Sequence, residues 1–485
     1  MPSPDTVSSR PAAGAATRTI AELPGPRPWP LLGNLPQLDL DRVHQQLERW
    51  VDDYGGMYRI RLAGKTIVAL GRHDLVSAVL RDRPEGWRRL KKIELAIREV
   101  GGHGVFSAEG EDWKRQRRIV MGAFDPGHLK RFFPSLVRVT ERLVAQWQAY
   151  ASSGESFDLQ TQMMRYSVDV TSGLAFGADV NTLESPEDPL QAHLDKVFPM
   201  LRRRINMPIP YWHWFKLPID RAFDGHLAKV HGAVRDFIRA AQARMRADPG
   251  LRERPDNLIE AMLAAHDAGG DRLTEEELLG NVLTVLLAGE DTTANTLCWA
   301  IHLLFKHPHE WRALVAEVDA MLGETEVPRR FDDARGFERI EACVTEAMRL
   351  YPVAPVIFHQ ANHDLVLDGL EVPAGTGAVC LMRRAGVDPQ LTGDAAAFRP
   401  ARWDDGADEA GRIVQKAAMP WGAGGRLCPG RYLALLEMKM VLATLARNFE
   451  LVEVGVEGGG EPPERLGFTM FPVGLRMRLA PRKRS

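Results

Sequence analysis

Hydrophobic and polar positions repeat in two registers along the chain. Met57–Leu62 and Thr66–Ala69 alternate with a period of two around Ala63-Gly64-Lys65, which predicts a β-hairpin. A helical period appears around Val43–Asp53 and governs the stretch from about Pro126 to His307, with loops expected at Ala151–Phe157 and Pro208–Pro218. It returns over Glu310–Leu322 and Glu338–Leu350. Short strands are expected at Leu365–Val372, Ala378–Leu381 and near Leu475–Leu479. The fold class is therefore mainly α with small β-sheet portions, without internal repeats or coiled-coil heptads.

One helix stands out. Leu273–His307 reads as continuous, opened by Thr274 with Glu277 three residues on, the spacing of a capping box. It would be on the order of 50 Å long. Val282–Ala288 is apolar almost all round, so this centre should be buried. Gly289-Glu290-Asp291-Thr292-Thr293 follows at once. Burying carboxylates and hydroxyls without purpose is costly. Two readings fit: a helix break with Thr292 as a new cap, or a functional polar insert.

The termini and composition narrow the class. Residues 1–22 are rich in Pro, Ala, Ser and Thr and predict a flexible tail with no apolar block of signal-peptide type. Leu23–Asn34 is proline-rich and should form an extended, rigid entry to one unit spanning residues 23–485. No run approaches the ~20 apolar residues that span a bilayer, so no membrane anchor is expected. A net charge of −2 gives no reason to expect nucleic acid. The four cysteines lack the close pairs of a zinc site and the density of a disulfide scaffold, which favours a reducing, cytoplasmic setting.

Chemistry concentrates in Trp421-Gly-Ala-Gly-Gly-Arg-Leu-Cys428-Pro-Gly430. Its four glycines permit tight turns and close approach to a flat ligand. Pro429 suits a first helical position, which would put Cys428 at a helix N-terminus, where dipole and amides favour a thiolate. Taken alone, the cysteine reads as a buried free thiol in a Gly-rich turn, the usual fate of a lone Cys.

This loop resembles the cysteine-ligand loop of the cytochrome P-450 family, F-x-x-G-x-R-x-C-x-G, with Gly424, Arg426, Cys428 and Gly430 matching and Trp421 in place of Phe. The resemblance implies haem b as cofactor, Cys428 as the iron's ligand, and Arg426 on a haem propionate. Ala288-Gly289-Glu290-Asp291-Thr292-Thr293 is similar to the family's oxygen-activation motif, which implies that Gly289 makes room for dioxygen and that Thr292 and Asp291 are the alcohol and acid of a proton relay. Trp113 and Arg117 resemble its W-x-x-x-R pair on a propionate. His359 stands where an arginine of that role is common. Glu346-Ala-Met-Arg349 and Phe398-Arg-Pro-Ala-Arg402-Trp403 resemble its E-x-x-R and downstream partner, implying a Glu346–Arg349–Arg402 folding network, although Ala401 replaces the usual Glu.

The resemblance further implies a monooxygenase that uses O2 on an apolar small molecule, with electrons from a separate ferredoxin or flavodoxin and its reductase. Peroxide-driven oxidation and a non-turnover haem or ligand-binding role are the alternatives. Pocket segments so implied are Arg88–Val105, Phe198–Phe215, Leu283–Ala288, Val353–Ile357 and Phe468–Phe471. The aromatic stretch Ile209–Phe215 fits either an entrance cover or interhelical core. Lys114, Arg115 and Arg118 fit a solvated face or a docking patch for an acidic donor.

Overall fold

The computed structural model describes residues 17–62, 64–185, 189–194, 196–207, 209–267 and 272–483. The chain forms two compact units, each assembled from separate segments: Met1–Ile93, Ala354–Ala396 and Ile413–Leu427 make one, and Glu94–Val353, Ala397–Arg412 and Cys428–Ser485 the other.

The first unit is built on a five-stranded sheet, in the order Met57–Leu62, Lys65–Leu70, Gly377–Leu381, Val356–Ala361, Trp87–Arg89. The predicted hairpin pairs Met57 with Leu70 through Leu62 with Lys65. Lys65–Leu70 then runs parallel to Gly377–Leu381, a strand that arrives from far along the chain. Strands Trp87–Arg89 and Val356–Ala361 escaped the sequence reading because neither shows clean alternation. Leu47, Trp50 and Val51 of the helix Val43–Tyr54 pack with Tyr58, Ile60 and Val379 on the sheet. The Tyr58 hydroxyl donates to the Leu47 carbonyl at 2.6 Å, which settles a buried phenol.

Two expectations for this unit change. The strand expected at Leu365–Val372 is a small hairpin, Leu365–Leu367 with Leu370–Val372. Its two-residue turn, Asp368-Gly369, has both φ angles positive, the geometry whose twist matches flanking strands. Of the tail, residues 1–16 lie outside the described residues; Arg18 bridges to Leu370 and Ile20–Glu22 forms a 3-10 turn, so this part is tied to the fold. The proline-rich entry is not extended throughout, since it folds back where Trp29 pairs with Gly33.

The second unit is helical, and its axis is the predicted long helix. It runs Glu275–Lys306, 32 residues or about 48 Å. Thr274 Oγ1 accepts from the Glu277 amide at 3.1 Å and Glu277 Oε2 accepts from the Thr274 amide at 2.8 Å, so the capping box forms. The helix passes through Gly289–Thr293 without a break. Helices Leu159–Phe176, Pro218–Ala247, Glu338–Leu350 and Arg431–Asn448 surround it. Ala294 through Ile301 is buried on every side, and Trp299 stacks on Tyr351 at 4.2 Å. The middle differs from expectation: Leu283 and Leu286 are buried, whereas Val285, Ala288 and Thr292, three and four residues apart on one face, open to accessible space. A three-stranded sheet orders Phe157–Asp158, Arg476–Pro481 and Phe449–Gly455, and Glu464–Leu466 pairs with Met470–Pro472. Among the described residues no helix is long and apolar enough to cross a membrane.

Glu346 binds the segment Ala397–Trp403 to its helix. Its carboxylate takes Arg349 in two bonds, at 2.7 and 2.8 Å, and accepts from Arg402 Nε at 3.3 Å, the Arg399 amide at 3.0 Å and Trp403 Nε1 at 2.9 Å. The side chains of Glu346, Arg349 and Arg402 are wholly buried. The network expected from the sequence therefore forms, and the Arg399 amide and Trp403 indole complete it. Removing one member leaves the others charged, desolvated and unpaired. Glu346→Ala should cost about 3–5 kcal/mol, read as a lowered denaturation midpoint or as loss of soluble protein.

Candidate functional site

Three groups of residues carry chemistry. The first surrounds Cys428. The helix after it runs Arg431–Asn448 with Gly430 as its cap, so Pro429 precedes the helix instead of opening it. The Cys428 sulfur still receives the backbone N–H groups of Gly430 and Arg431. Burial raises the thiol's pKa; these amides and the cations Arg117 and Arg431 oppose it and do not overcome it. Amides and cations beside a sulfur are the surroundings that favour a thiolate.

Arg117 and Trp113 stand on the helix Gly110–Ala123. Trp113 is buried, and Arg117 is near enough to Cys428 to interact electrostatically, although 311 residues (428 minus 117) separate them in sequence. Burial lowers the Arg117 pKa, the Cys428 thiolate works against that, and Arg431 adds to it. The basic run beside them is largely spoken for: Lys114 pairs with Glu111 at 2.9 Å, and Arg115 pairs with Glu277 of the long helix.

In the first unit, His359 and Arg426 come together. His359 lies on the central strand Val356–Ala361 with no exposure. Burial drives its pKa well down, the Arg83 and Arg89 guanidinium groups push the same way, the Arg88 backbone opposes them, and Arg426 adds to the fall. A neutral imidazole carries no charge, and the cations beside it are Arg83, Arg89 and Arg426. The sequence reading passed over Arg83, despite the signal of a basic run from Arg81 to Lys92. Gly424 holds φ at +65°, and a Cβ there would lie 2.8 Å from Arg81 Cα and 2.9 Å from the Leu80 carbonyl. Only glycine lets the loop come this close to the helix His73–Arg81.

The third group is on the long helix. Thr292 lies on the open face and donates to the Ala288 carbonyl at 2.7 Å. Asp291 turns elsewhere: Asn295 Nδ2 donates to Oδ1 at 3.0 Å and the Thr469 hydroxyl to Oδ2. The expected acid and alcohol are neighbours in sequence with separate partners in space. A Cβ at Gly289 would meet Thr171 Oγ1 at 2.5 Å, so its bareness serves the close packing of the long helix on Leu159–Phe176. Asn295 was missed, although its i, i+4 spacing from Asp291 was a signal. Thr469 lay within the implied pocket segment Phe468–Phe471, but nothing in the sequence marked it as a partner of Asp291, 178 residues away.

Of the pocket segments, Phe198 stacks on Phe468 at 4.8 Å and Phe106 lies 6.1 Å from the same ring, all three half-buried. The aromatic stretch divides: Trp212 is buried and donates to Glu99 at 2.8 Å, while Ile209, Trp214 and Phe215 are exposed.

A haem is an iron porphyrin with two carboxylates. The residues present fit it: a thiol supplied with amide donors, the half-buried Arg117 beside it, and an open apolar stripe on the long helix. The family model for cytochrome P450 matches residues 23–477. The chain belongs to the cytochrome P450 family. Membership makes haem its cofactor. The chain is 27% identical over 474 residues to a bifunctional cytochrome P450/NADPH–P450 reductase of Bacillus subtilis, covering 96% of this P450 and 43% of that protein. It thus spans about two-fifths of the length of its bifunctional relatives. It is 28% identical over 449 residues to the cyclooctat-9-en-7-ol 5-monooxygenase of Streptomyces melanosporofaciens, covering 90% and 93% of the two chains. A crystal structure of the cytochrome P450DA heme domain superposes with a TM-score of 0.84 at 24% identity, over 97% of this chain and 99% of that one.

The neutral state of His359 has a measurable consequence. Its folded pKa lies below the unfolded value of about 6.5, so the unfolded chain binds a proton first as pH falls. This group's contribution to stability is full above about pH 6.5 and declines below it. In denaturant melts across a pH series, His359→Gln should lose less stability than the parent between about pH 6.5 and 4.5.

Proposed function

We propose that this P450 is a haem-thiolate monooxygenase, with residues 23–485 acting as one catalytic domain. The observation that carries the reading is the half-buried Cys428, whose sulfur has the Gly430 and Arg431 amides and the Arg117 guanidinium about it. Cys428 would hold the iron of haem b. Arg426 and Arg117 would pair with its propionates, Trp113 would donate an indole N–H to one of them, and neutral His359 would donate a hydrogen bond. When bound, haem supplies the iron at which dioxygen is split, one atom going to substrate and the other to water.

The protein's part is to exclude water, to orient an apolar substrate, and to handle protons. Val285 and Ala288 on the open stripe, with Phe106, Phe198 and Phe468, support an apolar small molecule as substrate, since such pockets are lined mainly by aliphatic and aromatic side chains. Thr292 would hold a proton at Oγ1, now directed at the Ala288 carbonyl, and Asp291 would be the acid that replenishes it. Electrons would come from a separate ferredoxin or flavodoxin with its reductase, in the cytoplasm. Reductase-fused relatives make a tethered flavin donor the competing arrangement.

Reduced protein exposed to carbon monoxide should show the thiolate-type Soret shift, and Cys428→Ala should abolish it; a shift that survives the substitution removes the basis of the reading. The engagement of Asp291 by Thr469 and Asn295 leaves peroxide-driven oxidation as a second reading. With a surrogate ferredoxin and reductase, Thr292→Ala should divert electrons into peroxide at least several-fold. Peroxide-supported turnover that Thr292→Ala leaves intact, with no electron-driven turnover in the parent, selects the second reading.

A further inference from the structure

Asp291 is held by a closed ring of side chains. Asn295 Nδ2 donates to Asp291 Oδ1 at 3.0 Å and to Thr469 Oγ1 at 3.2 Å, and the Thr469 hydroxyl donates to Asp291 Oδ2. Gln160 Nε2, on the neighbouring helix, donates to Asn295 Oδ1 at 2.9 Å. Every role in the ring is fixed. An ionised carboxylate only accepts, so Asn295 must turn its NH2 toward it and its oxygen toward Gln160. With a lone pair of Thr469 taken by Asn295, the remaining hydroxyl proton points at Asp291. Asp291, Asn295 and Thr469 are all buried, and Gln160 is half-buried at the ring's outer end.

We infer that Thr469 and Asn295 are positioning residues for the acid Asp291, locking its carboxylate in one orientation, off the open stripe that carries Thr292. The inference rests on the proposed role of Asp291. Hydrogen bonds donated to the charged form favour that form, so the ring governs the pH at which Asp291 takes up a proton. To serve Thr292, Asp291 must leave the ring or exchange its proton through the Thr469 hydroxyl, which both donates and accepts. Titratable groups near this stretch include Glu290 beside it, Cys298 one turn beyond Asn295, and Asp158 at the start of the neighbouring helix, which acts on Cys298 together with Asp291.

The test is a difference-infrared pH titration of the haem-loaded protein, with the Asp291 carboxyl band identified by its absence in Asp291→Asn. In Thr469→Val the band should titrate about one pH unit higher than in the parent, and Thr469→Ser should restore the parent value. Gln160→Met, at a half-exposed site that folding tolerates, should shift it the same way by a smaller amount. With a surrogate ferredoxin and reductase, the midpoint of peroxide release against pH should move with the band. The carbon monoxide signature should stay as in the parent throughout, which separates this result from damage at Cys428. Titrations in Thr469→Val and Gln160→Met that superimpose on the parent overturn the inference. An Asp291→Asn protein that releases no more peroxide than the parent at any pH overturns the role of Asp291 and the positioning inference with it.

Discussion

A carboxylate without access to water orders much of the helical unit. Glu346 is surrounded by Arg349, Arg402, the Arg399 amide and the Trp403 indole, so both oxygens are saturated with donors. Such a group gives little net stability compared with an apolar core of the same volume, because desolvation offsets much of the attraction. Its effect is on specificity. Only one arrangement of 397–403 against the helix Glu338–Leu350 satisfies every donor, and alternatives leave a buried charge exposed to nothing.

The same balance of burial against local partners runs through the candidate site and resolves differently at each residue. At Cys428, burial raises the thiol's pKa while amides and two cations oppose it. At His359, burial and surrounding guanidinium groups act together, and the imidazole stays neutral. Neither result follows from residue type. Both depend on which charges the fold brings near each group.

The long helix shows how one element serves two environments. From Ala294 to Ile301 it is enclosed, with Trp299 stacked on Tyr351. Over the turns before, it opens along Val285, Ala288 and Thr292. Consecutive positions on a helix point about 100° apart, so Asp291 and Thr292 meet different neighbours although no residue separates them. The polar insert continues the helix because each of its groups has a place: Gly289 against Thr171, Asp291 in the ring with Asn295 and Thr469, and Thr292 on its own helix carbonyl.

What the sequence determined by itself is local or motif-bound. Period and capping sufficed for the long helix and the first hairpin, because the information lies within a few turns of chain. The glycine-rich cysteine loop and the Glu346–Arg349 spacing were legible because close approach and buried pairing restrict residue type. Only the tertiary structure decided the rest. It set the parallel seam between Lys65–Leu70 and Gly377–Leu381, the nearness of Arg117 to Cys428, the packing role of Gly289, and Thr469 as the partner of Asp291. Each joins positions scores to hundreds of residues apart, and whether a buried group finds a charge, a donor or a bare face there is a property of the assembled chain.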